Sequence, residues 1–475
     1  MTTGTIVAHN RIVFCTLHYK KIRTPINLPA LNETFAQLES ASILGGNTAK
    51  KDTDGFSYWA AEPKEVFEFR TGDRNPFEKL QHTTDKYKLK ENSGNSLPKG
   101  IFCGGWIGYF SYELGRYIEK LPETTVDELK MPLIRLCFYD KLICYDHNEE
   151  TCWLIALQLS NEIENTKTKL ADLEKLLTTS PQITALPPRP AELDNIDFSQ
   201  IRCNMDKDYY LKAVEKIKRY ILDGDVYQVN FSQQFKCEYK ANPITLFHWQ
   251  NLYNPSGYAA YIDGGNFHIV STSPEMFITI ADGVISTKPI KGTRPRISEA
   301  AQGKQINIKN SGELLRSEKE RAELNMIIDL ERNDLIKICE YGTRKVIQQR
   351  TIERYPTVFH AVATIAGQIR KEISFCDILK AMFPGGSITG APKVSSMKII
   401  DETEPTTRGV YTGSIGFIGI DNNVCLNIAI RTIIIKDQNA FVQAGGGIVA
   451  DSDAQAEWDE TITKARALIA GVNAK

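Results

Sequence analysis

Two pairs of glutamates are the clearest candidates for chemistry in this 475-residue chain. Glu320 and Glu323 lie in SEKERAELNMIIDL, and Glu457 and Glu460 lie in AQAEWDETITKARAL. A spacing of three puts both carboxylates on one face of a helix, so two such faces turned toward each other would form a nest of four carboxylates. That nest would repel itself unless a hard divalent cation such as Mg²⁺ neutralised it. For either helix alone, the alternative is that the acids are solvated or paired with basic neighbours.

A lysine and a glutamate in the middle of the chain could carry acid–base and nucleophilic chemistry. Lys291 lies in PIKGTRPR (289–296), and Glu275 lies 16 residues upstream in STSPEMF. Partial burial and the neighbouring Arg294 and Arg296 would lower the pKa of Lys291 toward the neutral amine that a nucleophile requires. Apolar surroundings would raise the pKa of Glu275 and suit it to protonate a leaving hydroxyl. Alternatively, the lysine is a solvated charge and the glutamate accepts local backbone hydrogen bonds.

Three glycine-rich segments and one arginine could bind an anion. The segments are 383–393 (FPGGSITGAPK), 409–419 (GVYTGSIGFIG) and 444–453 (AGGGIVADSD). Glycine permits positive φ, so the consecutive amides of Gly445, Gly446 and Gly447 could converge on an anion, although each segment could equally be a tight turn. Arg431 alternates with apolar neighbours in NIAIRTIII, which predicts a strand and a guanidinium directed into a polar cleft, where it would clasp a carboxylate or pair with an acid.

The elements that must position these groups indicate an α+β fold. Many short β-branched and aromatic runs, several of them alternating apolar with polar residues, are typical of antiparallel strands. Helices interrupt them without a regular βαβ alternation. The predicted helices are 163–177, 209–222, 317–330 and 454–470. The predicted strands lie in 151–159, 227–239, 258–263, 267–272, 276–287, 427–436 and 440–447.

Composition divides the chain and excludes some functions. A Pro-rich stretch predicts a linker or surface crossing at 178–195, between an N-terminal region 1–177 and a catalytic region 196–475, and the polar stretch 82–99 predicts an exposed loop.

Lys plus Arg number 57 against 58 for Asp plus Glu without a basic stripe, which argues against a nucleic-acid partner. No apolar stretch is long enough to span a membrane and no signal peptide begins the sequence, so we expect a cytoplasmic protein. The ten cysteines show no CxxC or zinc-ligand spacing and predict reduced core thiols.

Seven segments in the C-terminal half resemble the chorismate-utilising enzymes, which include anthranilate synthase component I, aminodeoxychorismate synthase component I, and the isochorismate and salicylate synthases. They occur in the family's order over most of 205–470. GGWIGYFSYELGR (104–116) extends the resemblance to the two amino-transferring members. The resemblance implies antiparallel sheets packed as a β-sandwich with flanking helices. The segments are SPEMF, PIKGTRPR, ERAELNMIIDLERNDL, FPGGSITGAPK, GVYTGSIGFIG, IAIRT and GGGIVADSDAQAEWDET.

Residue by residue, the resemblance implies a magnesium enzyme that binds chorismate. Glu323 and Glu460 are similar to the family's Mg²⁺ ligands, with Glu320 and Glu457 in support. His360, in YPTVFHAVATI, matches a histidine near the departing ring hydroxyl, although a lone histidine in an apolar segment is also typical of a core residue. The residues that match substrate-side positions are Thr293, Thr389, Tyr411, Arg431, Gly445, Gly446 and Gly447.

Lys291 favours the aminodeoxychorismate synthase branch, because anthranilate and isochorismate synthases usually carry Ala at this position of the signature. The implied reaction adds the Lys291 amine to the chorismate ring while the hydroxyl leaves with help from Glu275, after which ammonia expels the lysine on the way to 4-aminobenzoate and folate. No glutaminase signature of the GxCxGxQ type surrounds any cysteine, so a glutamine amidotransferase subunit is implied as the partner in a heterodimer. The alternatives are anthranilate synthase component I and a non-catalytic paralogue that binds chorismate or tryptophan.

Family members also bind tryptophan in the N-terminal half. LESA places Ser40 at the matching position, with Gly257, Tyr258 and Ala259 as its candidate companions. The usual Ser-Arg-aromatic segment is replaced here by 54–56 (Asp-Gly-Phe), so the resemblance to a tryptophan site is only partial.

Overall fold

The computed structural model describes residues 12–23, 25–47, 55–90, 97–179, 181, 201–297, 303–355 and 358–474. These residues contain 23 strands, many of them built from the β-branched and aromatic runs that favour a pleated surface. In chain order the strands are β1 (Val13–Ile22), β2 (Ser42–Leu44), β3 (Phe56–Ala60), β4 (Glu65–Phe69), β5 (Tyr87–Leu89), β6 (Gly105–Phe110), β7 (Ile134–Tyr139), β8 (Lys141–Asp146), β9 (Thr151–Leu159), β10 (Arg202–Cys203), β11 (Gln228–Glu238), β12 (Tyr258–Asp263), β13 (Phe267–Ser273), β14 (Met276–Ala281), β15 (Val284–Lys288), β16 (Ile290–Pro295), β17 (Lys345–Arg354), β18 (Val358–Gln368), β19 (Gly390–Ala391), β20 (Ser414–Gly419), β21 (Val424–Asn427), β22 (Thr432–Lys436) and β23 (Asn439–Ile448).

The strands form two sheets, of 13 and ten strands within the described residues. The first sheet runs β10-β11-β23-β22-β13-β12-β2-β3-β8-β9-β1-β5, with β19 beside β11. The second runs β16-β18-β15-β14-β21-β20-β6-β7-β4, with β17 beside β18. Of the named strand pairs only β1 with β5 is parallel, so the predicted antiparallel sheets are confirmed.

The main core lies between the two sheets. Tyr58 of the first sheet packs edge-on against Phe417 of the second, with ring centroids 5.6 Å apart. Tyr109 of the second sheet packs in the same way against Phe267 of the first, at 6.1 Å. The two inner faces thus bury their aromatic side chains against each other, as the predicted sandwich requires.

Ten α-helices flank the sheets in the described residues, and the four helices predicted from periodicity are among them. Asp206 caps α4, and Gly224, at φ +86°, follows its C-cap at Asp223. Ser317 and Asp453 cap the two acidic helices α7 and α10, so both begin where the sequence predicts. The helices are α1 (Leu28–Ala36), α2 (Pro76–Asp85), α3 (Thr166–Thr178), α4 (Lys207–Leu222), α5 (Pro243–Tyr253), α6 (Gly303–Arg316), α7 (Glu318–Ile336), α8 (Phe375–Met382), α9 (Lys393–Thr403) and α10 (Ala454–Asn473).

The exposed loop predicted for 82–99 is wrong over its first half. Helix α2 continues to Asp85 and β5 follows at once. Tyr87 is buried and stacks on Phe138, with ring centroids 3.7 Å apart. This partner is 51 residues away, so local polarity gave no sign of the burial. Residues 91–96 lie outside the described residues.

Strands from both sides of the predicted 178–195 linker share each sheet. In the first sheet β12 pairs with β2, and in the second β20 pairs with β6. Most of the linker lies outside the described residues, so the domain division stays a prediction. None of the described helices is long and apolar enough to cross a membrane. All ten cysteines are described, and none forms a disulfide.

Candidate active site

Both acidic helices line one cavity of about 980 Å³. Helix α7 packs on β16 and β18 of the second sheet, whereas α10 packs on β23 of the first. Glu320 and Glu323 enter the cavity from α7, and Glu457 and Glu460 enter it from α10. The structure therefore brings together the four carboxylates that the sequence singled out.

Cations and hydroxyls partly compensate these carboxylates. Glu320 accepts a hydrogen bond from Arg294 at 2.7 Å through one oxygen, while its other oxygen is buried without a partner among the described residues. Glu457 accepts from the Ser452 hydroxyl at 2.7 Å, and burial, reinforced by the charge of Glu460, raises the pKa of Glu457. The Glu460 carboxylate pairs with Lys464 at 2.7 Å.

This donor set suits a hard divalent cation. It offers carboxylate oxygens alone, and one of them, on Glu320, has no other partner among the described residues. Mg²⁺ characteristically uses one or two carboxylates plus waters and substrate oxygens. Such a mode does not require three protein oxygens in close contact, and no three of these four carboxylates approach within 4.8 Å of one another.

A tighter acidic group elsewhere is already neutralised. Asp140, Glu162 and Glu164 form the one such triple among the described residues. Lys169 lies in its centre, donating to Asp140 at 2.5 Å and to Glu162 at 2.7 Å, and Lys64 donates to Glu164 at 2.9 Å. Two ammonium groups thus occupy the position that a metal would need.

Lys291 and Glu275 lie together on another wall of the cavity. Burial lowers the pKa of Lys291, opposed by the charges of Glu275 and Glu323. Glu275 is 4% exposed, and burial raises its pKa. The Lys291 ammonium donates to the Ser387 carbonyl at 3.2 Å. Burial thus favours a neutral amine beside a protonated carboxyl, the pairing that nucleophilic displacement of a hydroxyl requires.

The neighbouring cation that acts on Lys291 differs from the one predicted. The prediction invoked Arg294 and Arg296, but Arg294 pairs with Glu320 and Arg296 donates to the Tyr355 carbonyl at 3.0 Å. Lys464 of α10 supplies the repulsive charge instead. It comes from across the cavity, so adjacency in sequence could not reveal it.

His360 lies on the same wall as a neutral, buried imidazole. It pairs with Thr293 across β18 and β16, and its Nδ1 is 2.8 Å from the Thr293 hydroxyl. Burial, with the charge of Arg431, lowers the pKa of His360 to about 3. Its Nε2 is buried without a hydrogen-bond partner among the described residues, and both His360 and Thr293 line the cavity.

Arg431 lines the cavity, but not from within a strand as predicted. It lies between β21 and β22 at φ +49°, because the chain leaves one sheet and enters the other at this point. Its guanidinium has no hydrogen bond or ion pair to any residue that the structure describes, which leaves its donors available for a carboxylate. Tyr411 also lines the cavity.

Gly445, Gly446 and Gly447 line the cavity from inside β23, which confirms the strand predicted for 440–447 over the alternative of a tight turn. They pair with Ser232, Phe231 and Asn230 of β11, so the ladder uses part of their backbone. On the other side β22 pairs with β23 only as far as Val442, which leaves that edge without a strand neighbour among the described residues. A Cβ at Gly446 would lie 2.9 Å from Glu457 Oε2, so glycine leaves room for that carboxylate.

Thr389 does not line the cavity, contrary to its prediction as a substrate-side residue. Its side chain is fully buried, and its hydroxyl donates to the Gly385 carbonyl at 3.0 Å. The hydroxyl therefore stabilises the turn at 385–389.

Comparisons with known proteins show the family to which this chain belongs. A sequence profile of chorismate binding enzymes matches residues 47–470. The chain belongs to this family. Aminodeoxychorismate synthase component 1 of Bacillus subtilis (strain 168) is 39% identical to it over 381 residues, 80% of this chain and 79% of that protein. Anthranilate synthase component 1 of Pseudomonas aeruginosa is 40% identical over 381 residues, 79% of this chain and 76% of that protein.

A solved structure extends the similarity to the fold. The crystal structure of anthranilate synthase component I from Streptococcus pneumoniae TIGR4 has a TM-score of 0.76 and 31% identity, and the match covers 87% of this chain and 92% of that one. The fold of the chorismate-binding family is thus established for this chain. Because the two named branches are similar to it in equal measure, the choice of member has to be argued from the site.

Several residues that line or adjoin this cavity were not predicted from the sequence. Arg408 is buried, and its guanidinium makes two hydrogen bonds to Glu404, at 2.9 and 2.7 Å. Ser387 lies in a quoted segment, but nothing in its spacing pointed to its contact with Lys291. Gln228 and Gln443 direct buried amide atoms without partners toward the cavity. The contact of Ser387 with Lys291 spans 96 residues, so no local pattern could predict it, whereas Arg408 and Glu404 are only four residues apart.

The candidate tryptophan residues lie beside β2 and β12. Ser40 has φ +50°, its carbonyl accepts from the Tyr139 hydroxyl, and its own hydroxyl is 3.5 Å from Arg135. Tyr258 and Ala259 lie on β12, and the Ala259 carbonyl accepts from the amide of Gly45 at 2.7 Å. Asp54 lies outside the described residues. Bound tryptophan stays a prediction.

Proposed function

We propose that this chain catalyses the Mg²⁺-dependent amination of chorismate to 4-amino-4-deoxychorismate, the precursor of 4-aminobenzoate and folate. The observation that carries the proposal is the position of Lys291, whose amine lies in the same cavity as Glu275 and the four glutamates. Binding alone would not require an amine whose pKa is lowered by burial beside a carboxyl whose pKa is raised.

The proposed reaction uses Lys291 as the nucleophile. Its neutral amine forms a C–N bond to the chorismate ring while the ring C–O bond breaks, and protonated Glu275 gives its proton to the departing hydroxyl, which leaves as water. Ammonia then forms the new C–N bond, and the Lys291 amine leaves. The enolpyruvyl group stays on the product, so no pyruvate is released. A separate lyase would complete the route to 4-aminobenzoate.

The remaining residues bind and orient the substrate. Arg431, whose guanidinium has no partner among the described residues, is positioned to bind one substrate carboxylate. His360 is neutral at physiological pH, and it lines the cavity together with Thr293, whose hydroxyl it contacts. Glu323 and Glu460, with support from Glu320 and Glu457, would hold Mg²⁺. When bound, the cation would neutralise the other carboxylate of chorismate.

Ammonia would come from a separate glutamine amidotransferase subunit. The sequence has no glutaminase signature, and the named relatives are each component 1 of a synthase, which supports a heterodimer. The chain by itself should then use free ammonium at elevated pH.

The decisive experiment is mass spectrometry of the products from chorismate, ammonium and Mg²⁺. We expect an aminated product that retains the enolpyruvyl group and yields 4-aminobenzoate only after a lyase is added. Fluorescent anthranilate with release of pyruvate would instead identify anthranilate synthase component I, the alternative favoured by the 40% identical relative and by the solved structure. Binding of chorismate without turnover would identify the non-catalytic paralogue.

A further inference from the structure

The segment Gly385–Ile388 contacts both proposed reacting groups. The Ser387 carbonyl accepts from Lys291 Nζ at 3.2 Å and from the Asn230 side chain at 3.0 Å. The Ser387 side chain also hydrogen-bonds Glu275, which stabilises that residue's charged form. A shift of this segment would therefore move both the Ser387 carbonyl that accepts from Lys291 and the Ser387 side chain that hydrogen-bonds Glu275.

Glu331 of α7 holds this segment from behind. It is 3% exposed, and its Oε1 accepts from the Gly386 amide at 3.1 Å. The packing is close, because a Cβ at Gly386 would lie 2.6 Å from Leu330 Cδ2 and 3.0 Å from Glu331 Oε1. Glu331 does not line the cavity.

Glu331 forms no ion pair with any residue that the structure describes. The charged groups that face it are Lys393 of α9, Asp334 of its own helix and Glu275. Lys393 is already bound, donating to Asp334 at 2.5 Å and to the Met382 carbonyl at 2.8 Å, and Lys337 donates to Asp334 at 3.2 Å.

The burial of the Glu331 carboxyl destabilises the folded protein, and no ion pair among the described residues compensates for this effect. Burial raises its pKa to about 7, and its Oε2 is buried without a partner among the described residues. A buried carboxyl in this state destabilises the fold relative to an apolar side chain. The interaction that Glu331 does make is the hydrogen bond from the Gly386 amide.

We propose that Glu331 is a positioning residue, which fixes Gly386 and Ser387 against α7 so that Ser387 keeps Lys291 and Glu275 in their reactive arrangement. Its effect on turnover rests on the proposed function, whereas its effect on Lys291 does not.

The first test measures Lys291 without any substrate. Acetylation of Lys291 by acetic anhydride is followed across pH by peptide mass spectrometry in wild type, Glu331→Leu and Glu331→Gln. In Glu331→Leu the midpoint should move down by about half a pH unit or more, because the ammonium loses the Ser387 carbonyl and Glu275 loses a donor that favours its charge. Glu331→Gln keeps an oxygen for the Gly386 amide and should leave the midpoint near that of wild type. A shift of equal size in both variants would show a charge effect, and no shift in Glu331→Leu would remove the positioning role.

The second test measures turnover of chorismate with ammonium and Mg²⁺. In Glu331→Leu we expect kcat to fall about tenfold or more while KM for chorismate stays within about twofold, since the binding groups are untouched. Glu331→Gln should recover most of kcat. Asp140→Asn, a buried carboxyl outside the cavity, is the matched control and should leave kcat unchanged even if stability falls.

Gly386→Ala is the second variant if Glu331→Leu does not fold. Its Cβ would displace the segment from Glu331, so the same downward shift of the Lys291 midpoint is expected. Wild-type kcat and midpoint in Gly386→Ala or Glu331→Leu would overturn the inference. If the wild-type enzyme forms no aminated product, the proposed function fails, while the acetylation midpoints still decide the role of Glu331.

Discussion

At the scale of single residues, the proposed chemistry depends on Lys291. Burial lowers the pKa of Lys291, and the neighbouring Glu275 and Glu323 act in the opposite direction. The sequence motif indicated Lys291 as the nucleophile, whereas its hydrogen bond to Ser387 depends on a contact across 96 residues.

Lys291→Ala should lower the rate of chorismate amination by about two orders of magnitude or more, or divert the chemistry toward anthranilate, because the covalent step is lost. Steady-state assays with mass spectrometry of the products measure both effects. Lys288→Ala is the matched control, since Lys288 lies three residues earlier, pairs with Glu353 and does not line the cavity. Unchanged rate and product in Lys291→Ala would exclude the nucleophile role.

Glu113 makes stability depend on pH. It accepts from the amides of Arg408 and Gly409 at 2.7 and 2.9 Å, and burial raises its pKa from 4.5 to about 7. The folded protein thus binds a proton that the unfolded chain releases between these values, so this group's contribution to stability falls as pH rises from about 4.5 to 7, by roughly 3 kcal/mol.

The Glu113→Gln variant should not show this loss of stability with rising pH, because glutamine does not titrate. The free energy of unfolding of the variant, relative to wild type, should rise from pH 5 to pH 7.5 by an amount on the order of 3 kcal/mol. Urea unfolding at the two pH values gives the comparison. A constant difference between the two proteins would mean that Glu113 does not titrate in this range.

At the scale of elements, α7 and α10 matter because they come from different sheets. Each helix places its two glutamates by i, i+3 periodicity, but only packing on β16 and β18 in one case and on β23 in the other turns them toward a common cavity. Helix α7 also carries Glu331, so this one element carries two of the proposed metal ligands and the residue proposed to position the Gly385–Ile388 segment.

Glu323→Gln should raise the Mg²⁺ concentration needed for half-maximal activity by about tenfold, because a neutral amide replaces a hard anionic ligand. Titration of activity with Mg²⁺ at saturating chorismate measures it. Glu318→Gln is the control, since Glu318 is exposed on the same helix and pairs with Arg321. An unchanged Mg²⁺ requirement in Glu323→Gln would count against the metal site.

At the scale of the whole molecule, the two halves of the chain complete each other's sheets. Strands β2 and β6, from before the predicted linker, pair with β12 and β20 from after it. Glu113 adds a second link, because it holds the backbone of Arg408 and Gly409 on the way to the cavity wall at Tyr411.

Residues 196–475 expressed alone should therefore fail to form a native core. We expect a weak near-ultraviolet circular dichroism signal and no amination, because removal of β1 to β9 leaves long unpaired strand edges and exposed apolar faces. Co-expression with residues 1–177 should restore both signals, since the contacts between the halves are noncovalent. A folded, active 196–475 fragment would instead support an independent catalytic domain.

The sequence alone determined the features that local pattern encodes. Helical spacing located α3, α4, α7 and α10, alternation located most of the strands around the site, and the quoted motifs indicated the family and the composition of the cavity. These predictions succeed because they depend on residues within a turn or a strand of one another.

Only the tertiary structure decided what depends on contacts between distant segments. The left-handed conformation of Arg431 follows from the passage of the chain from one sheet to the other, and the burial of Thr389 follows from the packing around it. The roles of Lys464 and Glu331 require α10 and the Gly385–Ile388 segment to meet Lys291. Burial, and with it each pKa shift in the cavity, is a property of the packed molecule, so no local pattern could supply it.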